Sequence, residues 1–495
     1  MTGARDTAAQ LADLLGGDAK RIDTHGASIL LTGERAWKVK RPVSLPYLDF
    51  STPEKRRAAL EAELALNRRT APDLYLGVHP LTRSADGALA LGGAGEPVDW
   101  VLEMKRFPDD ALLVDHAARG AIEDGAMLQL ADAVAAFHAG AEILADAEGA
   151  ARIRRVVEGN AVSMAAFPEM LEPAAARALT GRLLALIEAH AALLDARARA
   201  GRVRHGHGDL HLRNIALIDG APVPFDCLEF DPELATTDVL YDLAFLLMDL
   251  WERGARHAAN IVFNRYLDLS PEEEAGVALM PLMLGIRASI RAHVMAAQGK
   301  PEEARRYLDL AGQFLEDAPT RLVAIGGLSG SGKSTVARAI GGGIGRPPGA
   351  RILRSDVLRK RIAGVAPEQK LDAAAYTRQA SAAVYAEIYR LARQAMAAGQ
   401  SVIADAVFGT EEERIAIEGC GAPFLGIWLE LPEETRIERI AARGPDASDA
   451  DATVARMQSR MLGEGTVRWR SIPSGGGVSA VAEQILGWLS EPASP

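Results

Sequence analysis

Asp209, Asn214 and Asp226 lie within one short stretch of the chain, HGHGDLHLRNIALIDGAPVPFDCLEFD. The apolar runs on either side of an Asp-Gly turn, Ile215–Ile218 and Val223–Phe225, predict a β-hairpin. A hairpin brings its two ends together, so the three polar side chains are expected to converge on one site. Transfer of a phosphoryl group to a hydroxyl needs an aspartate to accept the proton, and an asparagine and a second aspartate to hold Mg²⁺ against the nucleotide. The stretch supplies that set.

The spacing H-x-D-L-x-x-x-N, followed by an aspartate at a strand end, resembles the catalytic and metal loops of the protein-kinase-like superfamily. The variant HGD at residues 207–209 is similar to the aminoglycoside phosphotransferase branch. This resemblance implies that Asp209 is the catalytic base and that Asn214 and Asp226 are Mg²⁺ ligands.

The same stretch carries three histidines, which allow a second interpretation. A metal site built from His205, His207 and His211 is conceivable. No cysteine or fourth ligand accompanies them, so a role in shaping the loop is favoured.

Two lysines mark a strand near the N-terminus. The run ASILLTGERAWKVKRPV predicts two strands around a Thr-Gly-Glu turn, and Lys38 and Lys40 point to one face of the second strand. In kinase-like folds a strand lysine reaches the α- and β-phosphates and pairs with a helix glutamate. The sequence AWKV resembles the A-x-K part of that strand, so Lys38 is the candidate and Lys40 the alternative.

A helix and a later strand are expected to complete this lobe. The helix is predicted over Thr52–Arg69, with a Ser/Thr cap and a proline in its first turn. It offers Glu61 or Glu63 as the lysine partner, and the pattern ELALNRR resembles the family helix and favours Glu63. The run WVLEM resembles the strand before the hinge, which implies that backbone groups from Glu103 to Lys105 bind adenine.

A second phosphate-binding motif follows a short apolar strand, RLVAI. The sequence GLSGSGKS is G-x-x-x-x-G-K-S in its strand–loop–helix setting. In such a loop the backbone N–H groups wrap the β-phosphate at a helix N-terminus, the lysine bridges the β- and γ-phosphates and the serine ligates Mg²⁺. The residues expected to bind the nucleotide are Gly327, Ser329, Gly330, Ser331, Gly332, Lys333, Ser334 and Thr335.

Two further predicted strands each end in an aspartate. The element D-V-L-R from Asp356 to Arg359 resembles the D-x-x-R element of adenylylsulfate-kinase-like and gluconate-kinase-like small P-loop kinases. The resemblance implies that Asp356 lies beside the acceptor hydroxyl and that Arg359 contacts the substrate. A helix-capping aspartate followed by a solvated arginine is the alternative. Asp405 either acts at the metal through water or caps the following loop.

An arginine-bearing helix is predicted over 432–443. In small-molecule P-loop kinases such a lid meets the transferring phosphate, which makes Arg439 and Arg443 catalytic candidates. Ordinary helix-surface arginines are the alternative. The segment RGPDASDAD predicts a lid turn, and its continuation resembles the small kinase family, zeta-toxin-like in type, that occurs fused behind aminoglycoside-phosphotransferase-like domains.

Composition limits the class of protein. A chain of 495 residues exceeds one ordinary domain, and its net charge of −11 argues against broad nucleic-acid binding. The two cysteines and the acidic N-terminal helix fit a reducing cytoplasm better than secretion. Without an apolar run of about 18 residues, no membrane span is expected.

The two resemblances together imply an α+β protein-kinase-like bilobal domain followed by an α/β P-loop domain with a parallel sheet. The lobes are expected over 1–105 and 106–318, and the P-loop domain over 319–495. The implied activity is a tandem phosphotransferase that uses ATP (or GTP) and Mg²⁺ on hydroxyl groups of small-molecule acceptors. The alternatives are an aminoglycoside-type resistance kinase and a nucleotide-gated regulatory protein with one active half.

Overall fold

The computed structural model describes residues 6–490 except 17–18, 25, 46–47, 146–147, 230, 443, 445 and 462–466. The chain divides into two compact units. Unit 1 comprises Met1–Ile122, Ala136–Ala147 and Ala198–Leu246, and unit 2 comprises Glu123–Ala135, Glu148–Arg197 and Leu247–Pro495. The three-domain division with boundaries at residues 105 and 318 stays a prediction.

Unit 1 begins with an antiparallel sheet in the order β1-β2-β3-β8-β6-β7. Its first elements are α1 (Thr7–Leu14), β1 (Lys20–Asp23), β2 (Ala27–Thr32), β3 (Arg35–Lys40), β4 (Ser44–Leu45), β5 (Leu48–Asp49), α2 (Pro53–Asn67), β6 (Tyr75–Arg83), β7 (Leu89–Leu91), β8 (Glu96–Lys105) and α3 (Leu113–Ala118). Helix α2 starts where the sequence indicates, because the Thr52 side chain accepts from the N–H of Lys55 and Pro53 occupies the first turn.

The middle of the chain contributes helices and the hairpin. These elements are α4 (Asp124–Gly140), α5 (Gly149–Ala165), α6 (Pro173–Arg199), β9 (Val203–His205), a 3₁₀ helix (Leu212–Asn214), β10 (Ile215–Ile218), β11 (Ala221–Pro224), α7 (Pro232–Ala235), β12 (Thr236–Asp238) and α8 (Val239–Glu252). Strands β10 and β11 pair antiparallel, and Asp219 and Gly220 between them have φ of 51° and 81°. This turn geometry matches the twist of a two-residue hairpin, so the hairpin prediction is confirmed.

The helices of unit 2 continue with α9 (Arg256–Leu269), a 3₁₀ helix (Pro271–Leu279), α10 (Met280–Ala297) and α11 (Pro301–Phe314). Within the described residues, Pro271–Ala297 is long and apolar enough by length and composition to cross a membrane. The segment contains Arg287 and Arg291 and is not an uninterrupted apolar run, so the expectation that the chain has no membrane span stays a prediction. Core helices pass the same test, and 72% of the apolar window lies buried inside the protein.

A parallel sheet in the order β14-β15-β13-β16-β17 forms the rest of unit 2. Its elements are β13 (Leu322–Gly326), α12 (Lys333–Gly341), β14 (Arg351–Arg354), α13 (Ser355–Ile362), a 3₁₀ helix (Ala373–Tyr376), α14 (Arg378–Ala397), β15 (Val402–Asp405), α15 (Glu411–Glu418), β16 (Phe424–Glu430), α16 (Glu433–Ala441), α17 (Ala452–Met461), β17 (Arg470–Pro473) and α18 (Val478–Ser490). The central strand β13 is buried along its whole length, with Leu322 and Ala324 packing on one face and Val323 and Ile325 on the other.

The position of Asp356 differs from the sequence-based prediction. Strand β14 ends at Arg354, and helix α13 begins at Ser355. Asp356 therefore lies in the first turn of a helix rather than at a strand end. An acidic side chain is favourable there because the helix N-terminus carries partial positive charge.

Helix α9 covers the outer edge of the parallel sheet. Asn264 accepts from the N–H of Ile352 at 2.7 Å and donates to the carbonyl of Ala350 at 3.0 Å. Asn260 donates to the same carbonyl at 2.9 Å. These amides satisfy backbone groups that an edge strand otherwise leaves open.

Candidate active sites

Asp242 holds the loop that carries the first catalytic candidate. This fully buried side chain of α8 accepts from the N–H groups of His207 and Gly208, at 2.7 and 2.9 Å, and lies 3.1 Å from Nε2 of His138. Gly208 has a φ of 80°, and a Cβ there would lie 2.8 Å from Cβ of Leu228. The HGD sequence thus places glycine where a side chain does not fit.

The structure brings the three residues of the first motif together. Asn214 Nδ2 donates to Oδ2 of Asp209 at 2.8 Å, which leaves its Oδ1 without a hydrogen bond from any described residue. Asp226 follows the second hairpin strand with a left-handed φ of 61°, and its N–H donates to the Tyr75 hydroxyl. Such backbone conformations in non-glycine residues cluster at functional sites.

Lys38 joins Asp226 to the helix of the first lobe. Its Nζ lies 2.6 Å from Oε1 of Glu63 and 2.8 Å from Oδ1 of Asp226. Glu63 is fully buried, whereas Glu61 is half exposed and pairs with Arg57. Of the alternatives that the sequence leaves open, Lys38 and Glu63 are thus in contact and Glu61 is not.

Lys40 contacts the same glutamate from the other side. Its Nζ lies 2.6 Å from Oε2 of Glu63 and 2.5 Å from Oε1 of Glu229. Glu229 is nearly buried, and burial, followed by the charge of Glu63, raises the pKa of its carboxyl. The sequence indicates Lys40 only as an alternative to Lys38. In the structure Lys40 shares Glu63 with Lys38 and has Glu229 as a second partner of its own.

The charges around Asp226 favour its ionised form. Burial raises the pKa of this carboxyl, but the ammonium of Lys38 outweighs that effect, so the pKa lies below its ordinary value. Asp209 acts on the same pKa in the raising direction, which places the two carboxylates within electrostatic reach of each other. A carboxylate with 41% of its side chain exposed and a free amide oxygen on Asn214 suit a hard, oxygen-seeking cation such as Mg²⁺.

One of the backbone groups expected to bind adenine, the N–H of Lys105, already donates a hydrogen bond within the protein. Lys105 donates its N–H to the carbonyl of Leu74, and Glu103 pairs within the sheet with Trp37. The Glu103 side chain contacts Arg35 and His79. The N–H of Lys105 is therefore not available to an adenine ring, because the sheet register already uses it.

The three histidines of the catalytic stretch do not form a common site. His207 contacts the carbonyl of Phe225 through Nε2, and Nδ1 of His211 accepts from the N–H of Arg213. Among the described residues no group of three or more His, Cys, Asp or Glu side chains is arranged to hold a metal ion. The histidine contacts agree with a role in shaping the loop.

The second motif forms a glycine-rich cradle before α12. Gly330 and Gly332 have φ of 85° and 94°, and a Cβ on Gly330 would lie 2.5 Å from the carbonyl oxygen of Arg436. Among the residues that the structure describes, Lys333 Nζ bonds only the carbonyl of Leu328, at 3.2 Å, and burial lowers the pKa of this lysine. Ser331 Oγ is buried and without a partner among the described residues. A phosphate would satisfy these donors.

Ser334 and Asp405 meet at the end of the sheet. The Ser334 hydroxyl donates to Oδ2 of Asp405 at 2.6 Å. Asp405 is 3% exposed, and burial raises its pKa above the ordinary value. A hydroxyl and a carboxylate oxygen at this separation can hold Mg²⁺ directly or through water.

The acceptor candidates line the same cavity as the P-loop. Arg359 donates to the carbonyl of Ala375 at 2.6 Å and lies over the ring of Tyr376 at 4.8 Å. Asp356 lies close enough to Lys333 for its charge to oppose the lowering of the lysine's pKa by burial. The solvated-arginine alternative is thus unsupported, since Arg359 is partly buried against these groups.

Of the two arginines predicted to act from the lid, Arg439 lies among the described residues and Arg443 does not. Arg439 reaches over the P-loop, with Nη1 3.5 Å from where a Cβ on Gly332 would lie, and Nη2 donates to the carbonyl of Ser474 at 3.0 Å. Arg443 lies outside the described residues. Arg436 is 2% exposed and donates to the carbonyl of Ser329, so it braces the loop.

Sequence reasoning missed the acidic partners that the lid provides. Asp446 pairs with Arg354, and Asp449 lies 2.5 Å from Nζ of Lys360. The DASDAD sequence shows the acids, but nothing in it identifies their partners, which lie about 90 residues earlier in the chain.

The chain thus combines an antiparallel-sheet unit that carries the Lys38–Glu63 pair with a parallel-sheet unit that carries a P-loop. Residues 322–462 match the family model described as AAA domain, AAA_33. The fold class expected from the sequence, kinase-like followed by an α/β P-loop domain, is confirmed.

The chain is 33% identical over 451 residues to the uncharacterized protein Rv2004c of Mycobacterium tuberculosis and to the uncharacterized protein Mb2027c of Mycobacterium bovis. The match covers 88% of this chain and 88% of each relative. The chain therefore belongs to the family of these mycobacterial proteins.

Solved structures resemble separate parts of the chain. An unliganded sugar kinase from Janibacter sp. HTCC2649 is 20% identical, covering 34% of this chain and 95% of its own, with a TM-score of 0.28. A glucosamine kinase in complex with glucosamine, ADP and inorganic phosphate is 17% identical, covering 59% and 78%, with a TM-score of 0.35. The GDP and kanamycin complex of APH(2")-IIia is 12% identical, covering 62% and 98%, with a TM-score of 0.36.

Proposed function

We propose that the chain is a tandem phosphotransferase in which each half moves the γ-phosphate of ATP to a hydroxyl of a small-molecule acceptor. The observation that carries this proposal is the presence of two assembled sets of side chains, one in each unit. The first set is Lys38, Glu63, Asp209, Asn214 and Asp226, and the second is Lys333, Ser334, Asp356, Asp405 and Arg439.

In the first half, Asp209 takes the proton of the acceptor hydroxyl. The hydroxyl oxygen forms a bond to the γ-phosphorus, the bond to the β-phosphate oxygen breaks, and ADP leaves. Lys38 positions the α- and β-phosphates while Glu63 holds its ammonium. Asn214 and Asp226 would hold Mg²⁺, which neutralises phosphate charge when bound.

In the second half, Asp356 faces the acceptor hydroxyl and takes its proton. Lys333 and Arg439, with Arg443 from the lid turn, balance the charge on the transferring phosphate. Ser334 and Asp405 would hold the metal. The bond changes are those of the first half, so the products are ADP and a phosphate monoester.

The test is a metabolite extract incubated with γ-labelled ATP and the full-length protein. We expect two labelled organic products, one lost in Asp209→Asn and the other in Lys333→Ala. The matched control is Glu61→Gln, at an exposed position two residues before Glu63, and it should keep both labelled products. Release of free labelled phosphate alone would contradict the proposal and favour the regulatory alternative, in which one half only binds nucleotide.

In the resistance-kinase alternative, acidic residues that follow the hairpin would attract a cationic substrate; the sequence offers Glu229, Asp231, Glu233 and Asp238. Glu229, one of these acids, is paired with Lys40 and nearly buried. It is therefore not available to an amino sugar, and this observation disfavours that alternative. Expression of the protein should leave the tolerance of a host to aminoglycosides unchanged.

A further inference from the structure

The cavity at the P-loop is large enough for more than a nucleotide. Its volume is about 1610 Å³, whereas the pocket for one small ligand is typically about 300–1,000 Å³. The P-loop lines one part of it, and Asp132 of α4 and Arg265 of α9 line another. All these residues belong to unit 2. The cavity therefore has room for the nucleotide and an acceptor together.

Two arginines of this cavity lie off the P-loop. Arg338 is one helical turn beyond Ser334 in α12, and its Nε donates to the carbonyl of Ser334 at 3.4 Å. Arg354 ends β14, two residues before Asp356. No carboxylate of a described residue lies within ion-pair distance of Arg338. Burial, followed by the charge of Arg354, lowers the pKa of Arg338, and the more distant charges of Asp446, Asp124 and Asp405 act in the opposite direction.

The lid segment, residues 446–458, places an anion against Arg354. Both carboxylate oxygens of Asp446 lie near Nη2 of Arg354, at 3.0 and 3.1 Å. Arg338 also contributes to lowering the pKa of this carboxyl, so Asp446 lies within the field of both guanidinium groups. Arg354 thus already binds a carboxylate, and Arg338 lies within the range of that carboxylate's charge.

The other end of the lid segment contacts the P-loop in the same manner. Oε1 of Gln458 accepts from the N–H of Ser329 at 2.8 Å. That N–H belongs to the loop whose backbone donors bind phosphate oxygens in P-loop proteins. The side chains of the lid segment therefore occupy two groups of donors, of which only the P-loop N–H of Ser329 belongs to the nucleotide-phosphate cradle.

We propose that the acceptor of the P-loop half carries an anionic group, a carboxylate or a phosphate, which binds Arg338 and Arg354 in place of the Asp446 carboxylate. This inference rests on the proposed phosphotransfer function. Displacement of Asp446 releases the lid segment when the acceptor arrives.

Charge balance assigns the arginine pair to the acceptor rather than to the γ-phosphate. The magnesium complex of ATP carries about two net negative charges, which Lys333 and Arg439 already balance at the P-loop. Arg338 has no ion-pair partner among the described residues. Once Asp446 leaves, Arg354 keeps the longer contact of its Nε with Asp405, at 3.7 Å, a carboxylate that a bound metal would share. Buried cations of this kind are costly unless an anion binds them.

A binding experiment measures the arginine pair directly. The full chain is saturated with magnesium and a non-hydrolysable ATP analogue, which fills the γ-phosphate position, and inorganic phosphate is titrated by calorimetry. Asp446→Asn should bind phosphate about tenfold more tightly, because no internal carboxylate competes. Arg338→Gln and Arg354→Gln should each weaken binding about tenfold or more.

Asp449→Asn is the matched control, because it loosens the same segment at Lys360 and leaves Arg354 paired. It should bind phosphate as the unmodified protein does. Equal tightening in both lid variants would mean that lid mobility, not displacement of a carboxylate, controls binding. Loss of affinity for the ATP analogue but not for ADP in Arg354→Gln would assign the arginine to the γ-phosphate and overturn the inference.

A transfer experiment separates this inference from the proposed function. A metabolite extract is split by anion exchange into retained and unretained fractions, and each is incubated with the full chain and labelled ATP. Labelling that is lost in Lys333→Ala should come from the retained fraction and fall about tenfold or more in Arg354→Gln. If it comes from the unretained fraction, the anionic acceptor is wrong and phosphotransfer stands. Absence of Lys333-dependent labelling from both fractions would refute the proposed function itself.

Discussion

Glu63 is the side chain that both lysines of β3 share. Lys38 connects it to Asp226 and Lys40 connects it to Glu229, within a site where the carboxylate and both ammonium groups are almost fully removed from water. When a nucleotide draws Lys38 toward its phosphates, Lys40 can keep Glu63 in place. We therefore expect the two lysines to contribute differently, Lys38 to phosphotransfer and Lys40 to stability.

Replacement of Lys40 by methionine should lower the free energy of unfolding of unit 1 by about 3 kcal/mol, because two buried carboxylates lose a partner. Urea denaturation of the full chain measures this change. The matched control is Arg57→Met, which breaks the exposed pair with Glu61 and should cost less than about 1 kcal/mol. Equal costs in the two variants would show that the Lys40 cluster adds no stability.

His293 gives unit 2 a pH dependence of defined sign. Burial holds the pKa of this histidine at about 4, below the ordinary value of 6.5. The unfolded chain therefore binds a proton more readily, and stability falls as the pH drops from 6.5 toward 4. His293→Gln should remove about 2 kcal/mol of that fall between these pH values, measured by denaturation at each pH. An unchanged slope would contradict the assignment.

At the scale of elements, α9 replaces a neighbouring strand for β14. Its asparagine amides bind the carbonyl of Ala350 and the N–H of Ile352, and Arg351 between them pairs with Asp268 and Glu274. The edge of the parallel sheet is thus closed by side chains instead of by backbone. Arg354 is the last residue of this strand and Asp356 follows two residues later, so the position of the strand affects the acceptor residues.

Asn264→Leu should leave the N–H of Ile352 without its partner, at a cost of about 1–3 kcal/mol, whereas the carbonyl of Ala350 keeps its hydrogen bond from Asn260. Amide hydrogen exchange of Ile352 should become faster by about tenfold or more. Asn160→Leu is a suitable control, since Asn160 is also buried but contacts the side chains of Ser289 and His293. Unchanged protection at Ile352 would mean that α9 does not stabilise the edge.

At the scale of the whole molecule, each unit carries its own candidate nucleotide site. The Lys38–Asp226 contact belongs to unit 1, and the P-loop with Ser334 and Asp405 belongs to unit 2. No residue of one set belongs to the other. Two independent sites are therefore expected on one chain.

Calorimetric titration of the full chain with magnesium and a non-hydrolysable ATP analogue should give two binding events per chain. Lys38→Met should remove one event and Lys333→Ala the other, because each variant takes a phosphate-binding cation from one site only. A single event in the unmodified protein would contradict two functional sites. Loss of both events in either variant would show that the sites are coupled.

The sequence by itself determined both motif sets, because they depend on residues close together in the chain. Asp209, Asn214 and Asp226 are positioned by one hairpin, and the P-loop by glycines that allow its backbone conformation. The tertiary structure decided which lysine meets which acid, that Asp446 binds Arg354, and that Asn264 closes β14. The last two contacts join residues 92 and 88 positions apart. Neither periodicity nor a local motif encodes such pairs, since packing of distant elements brings them within reach.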